Sequence, residues 1–260
     1  MIQMSSVIGD IKGNLKKIIA FAEEAKGSDI ICFPELSLTG YRLPDSAEHA
    51  ISADDSALKE ISAAASKQRA AIAFGFAERD PKGVYISQCL ADNGKLTVYR
   101  KTHLGKFERA HFTPGDKFTV ADTKKAKAGF QICAESHFPE ISTCLTYRGA
   151  EIILMPFASP LAAEKRIEVW KKYLPARAYD NGVFVAACNN VSGNKGGGAI
   201  IIDPKGNVIA EDAGTNAILT ADLKGSMLHR VHIDDRKSMN ETDFFGSRRP
   251  ELYSDVVKPL

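Results

Sequence analysis

Residues 128–140 read AGFQICAESHFPE. The opening run is apolar and strand-like, whereas Pro139 to Tyr147 carries a helical pattern with proline near its first turn. Cys133 stands at the junction, where the strand pattern stops and the helix has not begun. In layered α/β proteins such ends are where sites assemble, because rigid strands aim side chains into a shared crevice. Taken alone, a cysteine there is explained as a small apolar filler. The rest of the chain decides between the two.

Working outward, helical and extended patterns alternate along all 260 residues without a linker, repeat or low-complexity tract. Residues 14–26 place Leu15, Ile18, Ile19, Ala22 and Ala25 at three-and-four spacing, an amphipathic helix with Asn14 as its opening cap. SDIICFPE follows as a buried strand, a second helix spans about 54–69, and AAIAFGFAE is the next strand. VYISQCLADNGKLTVYRK forms a hairpin that turns at Asp92-Asn93-Gly94. GKFERAHFTPGDKF has loop composition. After the opening stretch come the strand EIILMP and one helix over 162–180 around Trp170. The last third is strand-rich (GVFVAACNN, GGAIIID, NVIAED, AILTAD), with Pro204-Lys205-Gly206 as a turn and a helix expected near 226–237. Helices enclosing hairpin-rich, mostly buried sheets indicate layered α/β packing with antiparallel pairs. No Gly-x-Gly-x-x-Gly closes the first strand–helix turn, so a dinucleotide-binding fold is not indicated.

Composition excludes several classes of function. The formal charge is +2 and the basic residues are scattered, so a nucleic-acid partner is not expected. The longest apolar runs fall far short of a membrane span, and the first residues lack the pattern of a signal peptide. Five cysteines without regular spacing do not make a disulfide framework. These features point to a cytoplasmic protein whose thiols stay reduced. The Asn194-to-Gly198 stretch reads as a tight connection rather than a phosphate cradle. His229, His232, Asp234 and Asp235 read as a solvated face rather than a metal site. No cofactor is expected.

Three strand ends carry chemistry. Glu35 follows DIICFP, Lys101 follows LTVYR, and Cys133 follows AGFQI. A carboxylate, an ammonium and a thiol suffice for acyl transfer: sulfur attacks a carbonyl, the carboxylate moves the proton, and the cation steadies the oxyanion. Cys32, Cys89, Cys144 and Cys188 fall inside strand or helix patterns and read as core filler.

The segments FPELSLTGY, YRKTHLG and GFQICAESHFPE, in that order, resemble the three signature regions of the nitrilase, or carbon–nitrogen hydrolase, superfamily. ERAHFTPGD is similar to the stretch that supplies the family's second glutamate. RAYDNGVFVAACNN, GGAIIIDPKGNVIAE and RRPELY extend the likeness over almost the whole chain. The resemblance implies a single domain over residues 1–260 with a four-layer α-β-β-α sandwich, pairing into a homodimer or higher homo-oligomer. It implies Cys133 as nucleophile of a thioester acyl-enzyme, Glu35 as general base, Lys101 as the oxyanion-stabilising cation, and Glu108 as the carboxylate that orients the lysine. The Ala134 amide stands as a second oxyanion donor, and Arg109, His137 and Arg177 as candidates to grip a substrate carboxylate.

Nitrile hydrolases of the family carry tryptophan after the nucleophile, where this chain has Ala134. Branches near the omega-amidases show Tyr-Asp and an arginine, where this chain has Ala134-Glu135 and His137. The expected activity is therefore hydrolysis of a small linear amide or N-carbamoyl compound. Nitrile hydrolysis, acyl transfer to another acceptor, and a catalytically idle binding protein are the alternatives.

Overall fold

The computed structural model describes residues 1–192, 195–214, 217–228 and 248–257. Two sheets stack face to face. The first has strand order β1-β2-β3-β4, formed by Ile30–Cys32, Ala71–Asp80, Gly83–Asp92 and Lys95–Arg100. The second has order β12-β11-β8-β7-β6-β5. Its strands are β5 (Val120–Asp122), β6 (Lys127–Phe130), β7 (Ile152–Phe157), β8 (Phe184–Asn189), β11 (Ala199–Ile202) and β12 (Val208–Asp212). A two-stranded ribbon, β9 (Val191–Ser192) with β10 (Lys195–Gly196), continues the β8–β11 hairpin as a separate pairing.

Side-chain alternation shows how the layers form. In β2, Ala71, Ala73 and Ala77 face the other sheet, while Ile72, Phe74 and Phe76 face outward to a helix layer. In β8, Phe184, Ala186 and Cys188 point to the inter-sheet core, and Val185 and Ala187 to the opposite helix layer. Strands apolar on both faces are those buried on both faces. Helices α1 (Ile11–Glu24) and α2 (Ser56–Gln68) cover the first sheet through Leu15, Ile18, Leu58 and Ile61. Helices α3 (Pro139–Tyr147), α4 (Ala163–Trp170) and α5 (Leu174–Tyr179) cover the second through Leu145, Trp170 and Leu174. The result is the expected α-β-β-α sandwich. Strands β6, β7 and β8 run parallel, so their carboxyl ends open at one edge.

Several elements differ from the sequence reading. The cap of α1 is Asp10, whose carboxylate accepts from Gly13 N at 2.9 Å. Asn14 is instead buried within the helix, where its amide bonds Val7 N, Val7 O and Leu38 O and ties two loops together. The single helix expected over 162–180 is two helices. Pro175 lacks an N–H and its ring would meet the carbonyl four residues back, so the helix breaks at 171–173 and restarts at Leu174. AILTAD forms no named strand; Ile218 makes one isolated bridge to Ile2. Strand β5, absent from the sequence reading, is a three-residue edge pairing with β6. Of the helix expected near 226–237, residues 226–228 are described and helical, and the rest, with the histidine and aspartate residues 229, 232, 234 and 235, lies outside the described residues.

Candidate active site

Glu35 is delivered by an interruption of the sheet. Phe33 N still bonds Ala73 O at 2.8 Å, and Leu38 N bonds Gly75 O at 2.8 Å. Between them Pro34 has no N–H, and Leu36 takes a left-handed backbone at φ 51. Side-chain hydroxyls take over part of the ladder: Gly75 N donates to Ser37 Oγ at 3.1 Å and Ala77 N to Thr39 Oγ1 at 2.9 Å. This keeps the buried backbone paired while the turn aims Glu35 into the cleft. Gly75 makes the approach possible, because a Cβ there would lie 2.3 Å from Leu36 N. Gly75→Ala is accordingly expected to destabilise the chain by about 2 kcal/mol or more and to displace Glu35. Urea denaturation and turnover measured together check it.

Lys101 follows β4 directly, its backbone pinned by Lys101 N to Ile86 O and Gly115 N to Lys101 O, both at 2.8 Å. Its side chain is 0% exposed and holds two carboxylates: Nζ donates to Glu35 Oε1 at 2.7 Å and to Glu108 Oε1 at 2.9 Å. Glu108 opens a short 3₁₀ turn, Glu108–Ala110. It is fixed further by Gly105 N to Oε2 at 2.6 Å and by the Tyr41 hydroxyl to Oε1 at 3.2 Å.

Cys133 lies just beyond β6 rather than at its last residue. It opens a 3₁₀ turn, Cys133–His137, and has φ 48, a second non-glycine left-handed position. Strained backbone of this kind persists only where the surroundings over-determine it. Two of the four such residues, Leu36 and Cys133, flank or form the site; the others, Arg69 and Asn93, lie at the end of α2 and in the β3–β4 turn. The residue as a whole is half-buried.

The charges decide the resting protonation. Burial raises the Glu35 carboxyl to about 7, with Glu108 adding to the rise and Lys101 opposing it. Burial and then Glu35 push the Cys133 thiol up to about 12, against Lys101 and the Ala158 backbone N–H, which favour the anion. Burial works against the Lys101 charge, yet Glu35, the thiol and Glu108 together hold its pKa well above the ordinary lysine value. At neutral pH the resting pair is thus a neutral thiol beside a carboxyl group that is about half ionised. Glu35 Oε2 is buried without a hydrogen-bond partner, so one lone pair of the carboxylate is left to take a proton.

One residue that organises this cluster was missed in the sequence. Glu135 is 0% exposed. Its Oε1 accepts from the Tyr99 hydroxyl at 2.6 Å, from Thr102 N and Oγ1 at 2.7 Å each, and from His103 N at 3.2 Å. Its Oε2 accepts from Ile132 N at 2.6 Å. The carboxylate therefore bolts the segment that follows Lys101 to the residue that precedes Cys133. Its only trace in the sequence was an acidic residue two places after the cysteine, which composition alone cannot tell from a solvated charge. Glu135→Ala leaves five donors without their acceptor and is expected to cost about 3–5 kcal/mol in urea unfolding.

The structure thus brings Glu35, Lys101, Glu108 and Cys133 together. Ala134 is in the first turn of the 3₁₀ segment, where backbone N–H groups lack an intrahelical acceptor. His137 is exposed and stacks on Tyr173, with ring centroids 4.7 Å apart. Arg177 donates to the elbow backbone, at Ser136 O and His137 O, over 3.2 and 3.4 Å. Arg109 shares the turn with Glu108 but is exposed, and its Nε points to Leu104 O at 3.4 Å. Among the described residues no cluster of three or more His, Cys, Asp or Glu could hold a metal ion, and no helix is long and apolar enough to cross a membrane.

A sandwich of two sheets whose strand ends converge a thiol, a lysine and two glutamates has counterparts among known proteins. The carbon–nitrogen hydrolase family model matches residues 1–232. The chain is 30% identical to a probable nitrilase of Schizosaccharomyces pombe, over 99% of this chain and 97% of that protein. It is 32% identical to a 2-oxoglutaramate amidase of Bacillus subtilis, over 85% and 88%. Among solved structures, a mutant of the amidase from Nesterenkonia sp. AN1 superposes with TM-score 0.79 at 26% identity, covering 98% of this chain and 94% of that one. That structure carries the acetamide moiety of fluoroacetamide added covalently at its active-site cysteine. The chain belongs to the carbon–nitrogen hydrolase family, within the nitrilase superfamily.

Proposed function

We propose that this chain hydrolyses a non-peptide carbon–nitrogen bond of a small linear amide or N-carbamoyl compound through a thioester on Cys133. The observation that carries the reading is the buried Glu108–Lys101–Glu35 chain beside the thiol, with one Glu35 oxygen unpartnered.

With the thiol at about 12 and the carboxyl at about 7, no stable thiolate exists beforehand. The proton moves to Glu35 as sulfur bonds to the carbonyl carbon. The oxyanion that forms meets the Lys101 ammonium and the Ala134 N–H; one such donor is worth about 3 kcal/mol. Glu35 then returns the proton to the departing nitrogen, the C–N bond breaks, and ammonia leaves. Water, deprotonated by the same carboxylate, attacks the thioester, and collapse of that intermediate restores the thiol and frees the acid. For a carbamoyl substrate the carbamic acid released decomposes to carbon dioxide and a second amine. Glu108 keeps Lys101 charged and aimed throughout.

The amidase relatives and the cysteine adduct of the Nesterenkonia amidase support this reading. So does Ala134, which stands where the family's nitrile hydrolases have tryptophan. Ammonia release assayed over amides, N-carbamoyl amino acids and nitriles tests it. Turnover of amides or carbamoyl compounds above nitriles is expected. Turnover confined to nitriles, or none with any compound, contradicts it.

A further inference from the structure

The strand next to the one that carries Cys133 brings a further main-chain donor to it. β6 and β7 run parallel as neighbours, with Phe130 opposite Leu154 and Gln131 N bonded to Leu154 O at 3.1 Å. Cys133, three residues beyond Phe130, and Ala158, four beyond Leu154, therefore leave the same sheet edge side by side. The Ala158 N–H approaches the Cys133 sulfur and favours its anion. The donors in the reaction above, the Lys101 ammonium and the Ala134 N–H, serve the carbonyl oxygen instead. Sulfur is the atom that Ala158 meets.

One buried amide holds this donor in place. Asn189 closes β8 as the register partner of Phe157 and is 0% exposed. Its Oδ1 accepts from Ser159 N at 2.8 Å, and its Nδ2 donates to Ser159 O at 3.0 Å and to Gly197 O at 2.9 Å. A single side chain thus grips both main-chain groups of the residue after Ala158. It extends the pairing of β7 and β8 past the point where the strands end. No other residue type of this size does so: aspartate would face two carbonyl oxygens, and leucine would leave three main-chain groups unpaired.

The chemistry needs help at sulfur twice. Burial and Glu35 push the thiol up to about 12, so charge on sulfur is costly in this cleft. Negative charge builds there as Glu35 takes the thiol proton. It builds again in deacylation, when the carbon–sulfur bond breaks, its electron pair returns to sulfur, and sulfur recovers the proton held by Glu35. A preorganised N–H lowers both barriers. We propose that Asn189 is a positioning residue for the reaction, holding the Ala158 N–H on the Cys133 sulfur, and that this N–H stabilises charge on sulfur rather than on oxygen. The proposal rests on Cys133 as the reactive sulfur, but its test requires no amide turnover.

Alkylation of the full chain by iodoacetamide between pH 7 and 9, followed on the Cys133 peptide by mass spectrometry, reads the anion directly, because the thiolate is the nucleophile. Asn189→Ala is expected to slow Cys133 about tenfold throughout this range, the scale of one hydrogen bond to a charged group. Half-buried Cys144, on α3, is the internal reference and should be unchanged. Asn190→Ala removes a neighbouring amide that bonds Ser6 Oγ at 3.0 Å, and should leave the Cys133 rate unchanged. Replacing Ala158 by lactic acid puts an ester oxygen in place of that N–H alone. This chain should lose at least as much as Asn189→Ala, and it provides the test if Asn189→Ala does not fold. Slowing of Cys133 in these two chains upholds the assignment even if no amide is hydrolysed, in which case only the hydrolysis reading fails. Cys133 alkylated as fast as in wild type or faster, in the lactic acid chain or in folded Asn189→Ala, overturns the proposal and leaves hydrolysis intact. Equal slowing in Asn190→Ala overturns it as well, since a general loosening would then account for the effect.

Discussion

Cys133→Ala is expected to abolish ammonia release from every amide the wild-type chain is found to hydrolyse, a loss of about 10⁴-fold or more, since a nucleophile and its base act as one unit. The fold should survive this change. Cys133 is half-buried and opens a short turn, and its backbone partner Ser136 donates to a main-chain carbonyl that alanine retains. Thermal unfolding close to that of wild type, combined with absent turnover, is the expected pair of results. The other four cysteines do not substitute. Cys32, Cys89 and Cys188 are 0% exposed, and Cys144 sits on α3, away from the lysine and both glutamates. Residual turnover of a tenth or more would place the chemistry elsewhere.

Glu35→Gln is the second large effect. In the proposed reaction the carboxylate has two tasks, taking the thiol proton and activating water, and loss of general-base catalysis is worth about 10²–10⁴-fold. It also shapes the pH dependence, and the sign is definite. The base must be ionised, and burial has raised its pKa to about 7. Wild-type kcat/KM should therefore climb through pH 7 and fall about tenfold for each pH step well below it. Gln has no such titration, so the acidic limb should vanish in the variant along with most of the rate. Because Lys101 keeps Glu108 at 2.9 Å, the ammonium is not left unpaired, and the variant should remain folded. A variant that retained the limb near pH 7 would assign the titration to another group.

Much of the site was legible in the sequence because its reactive groups sit beside strand ends, and strands announce themselves by apolar runs. IICFPE, LTVYRK and FQICAE each leave a reactive side chain one to three residues beyond a buried segment, and the family's ordered motifs join them. The sandwich was legible for the same reason: unbroken apolar runs such as AIAFGF and IILMPF mark strands covered on both faces. What escaped were features with no local signature. The Asp10 cap was overlooked because Asn14 is an equally good cap by residue type, and only the fold shows that its amide is used inward. The break at 171–173 depended on one proline whose effect is set by where the preceding turn ends. Glu135, Ser37 and Thr39 replace backbone partners across segments distant in the chain, and such contacts exist only once the sheets have stacked.

The central claim, that catalysis passes through a covalent bond between Cys133 and the acyl part of the substrate, is tested most directly by intact-protein mass spectrometry. The chain is mixed with a turned-over amide and quenched in acid within milliseconds, so that any acyl-enzyme is preserved. The account predicts a mass gain equal to the substrate less ammonia, located on the peptide containing Cys133 and lost on treatment with hydroxylamine. Turnover at full rate with no adduct on that peptide under any quench time, together with an active Cys133→Ala chain, would contradict it.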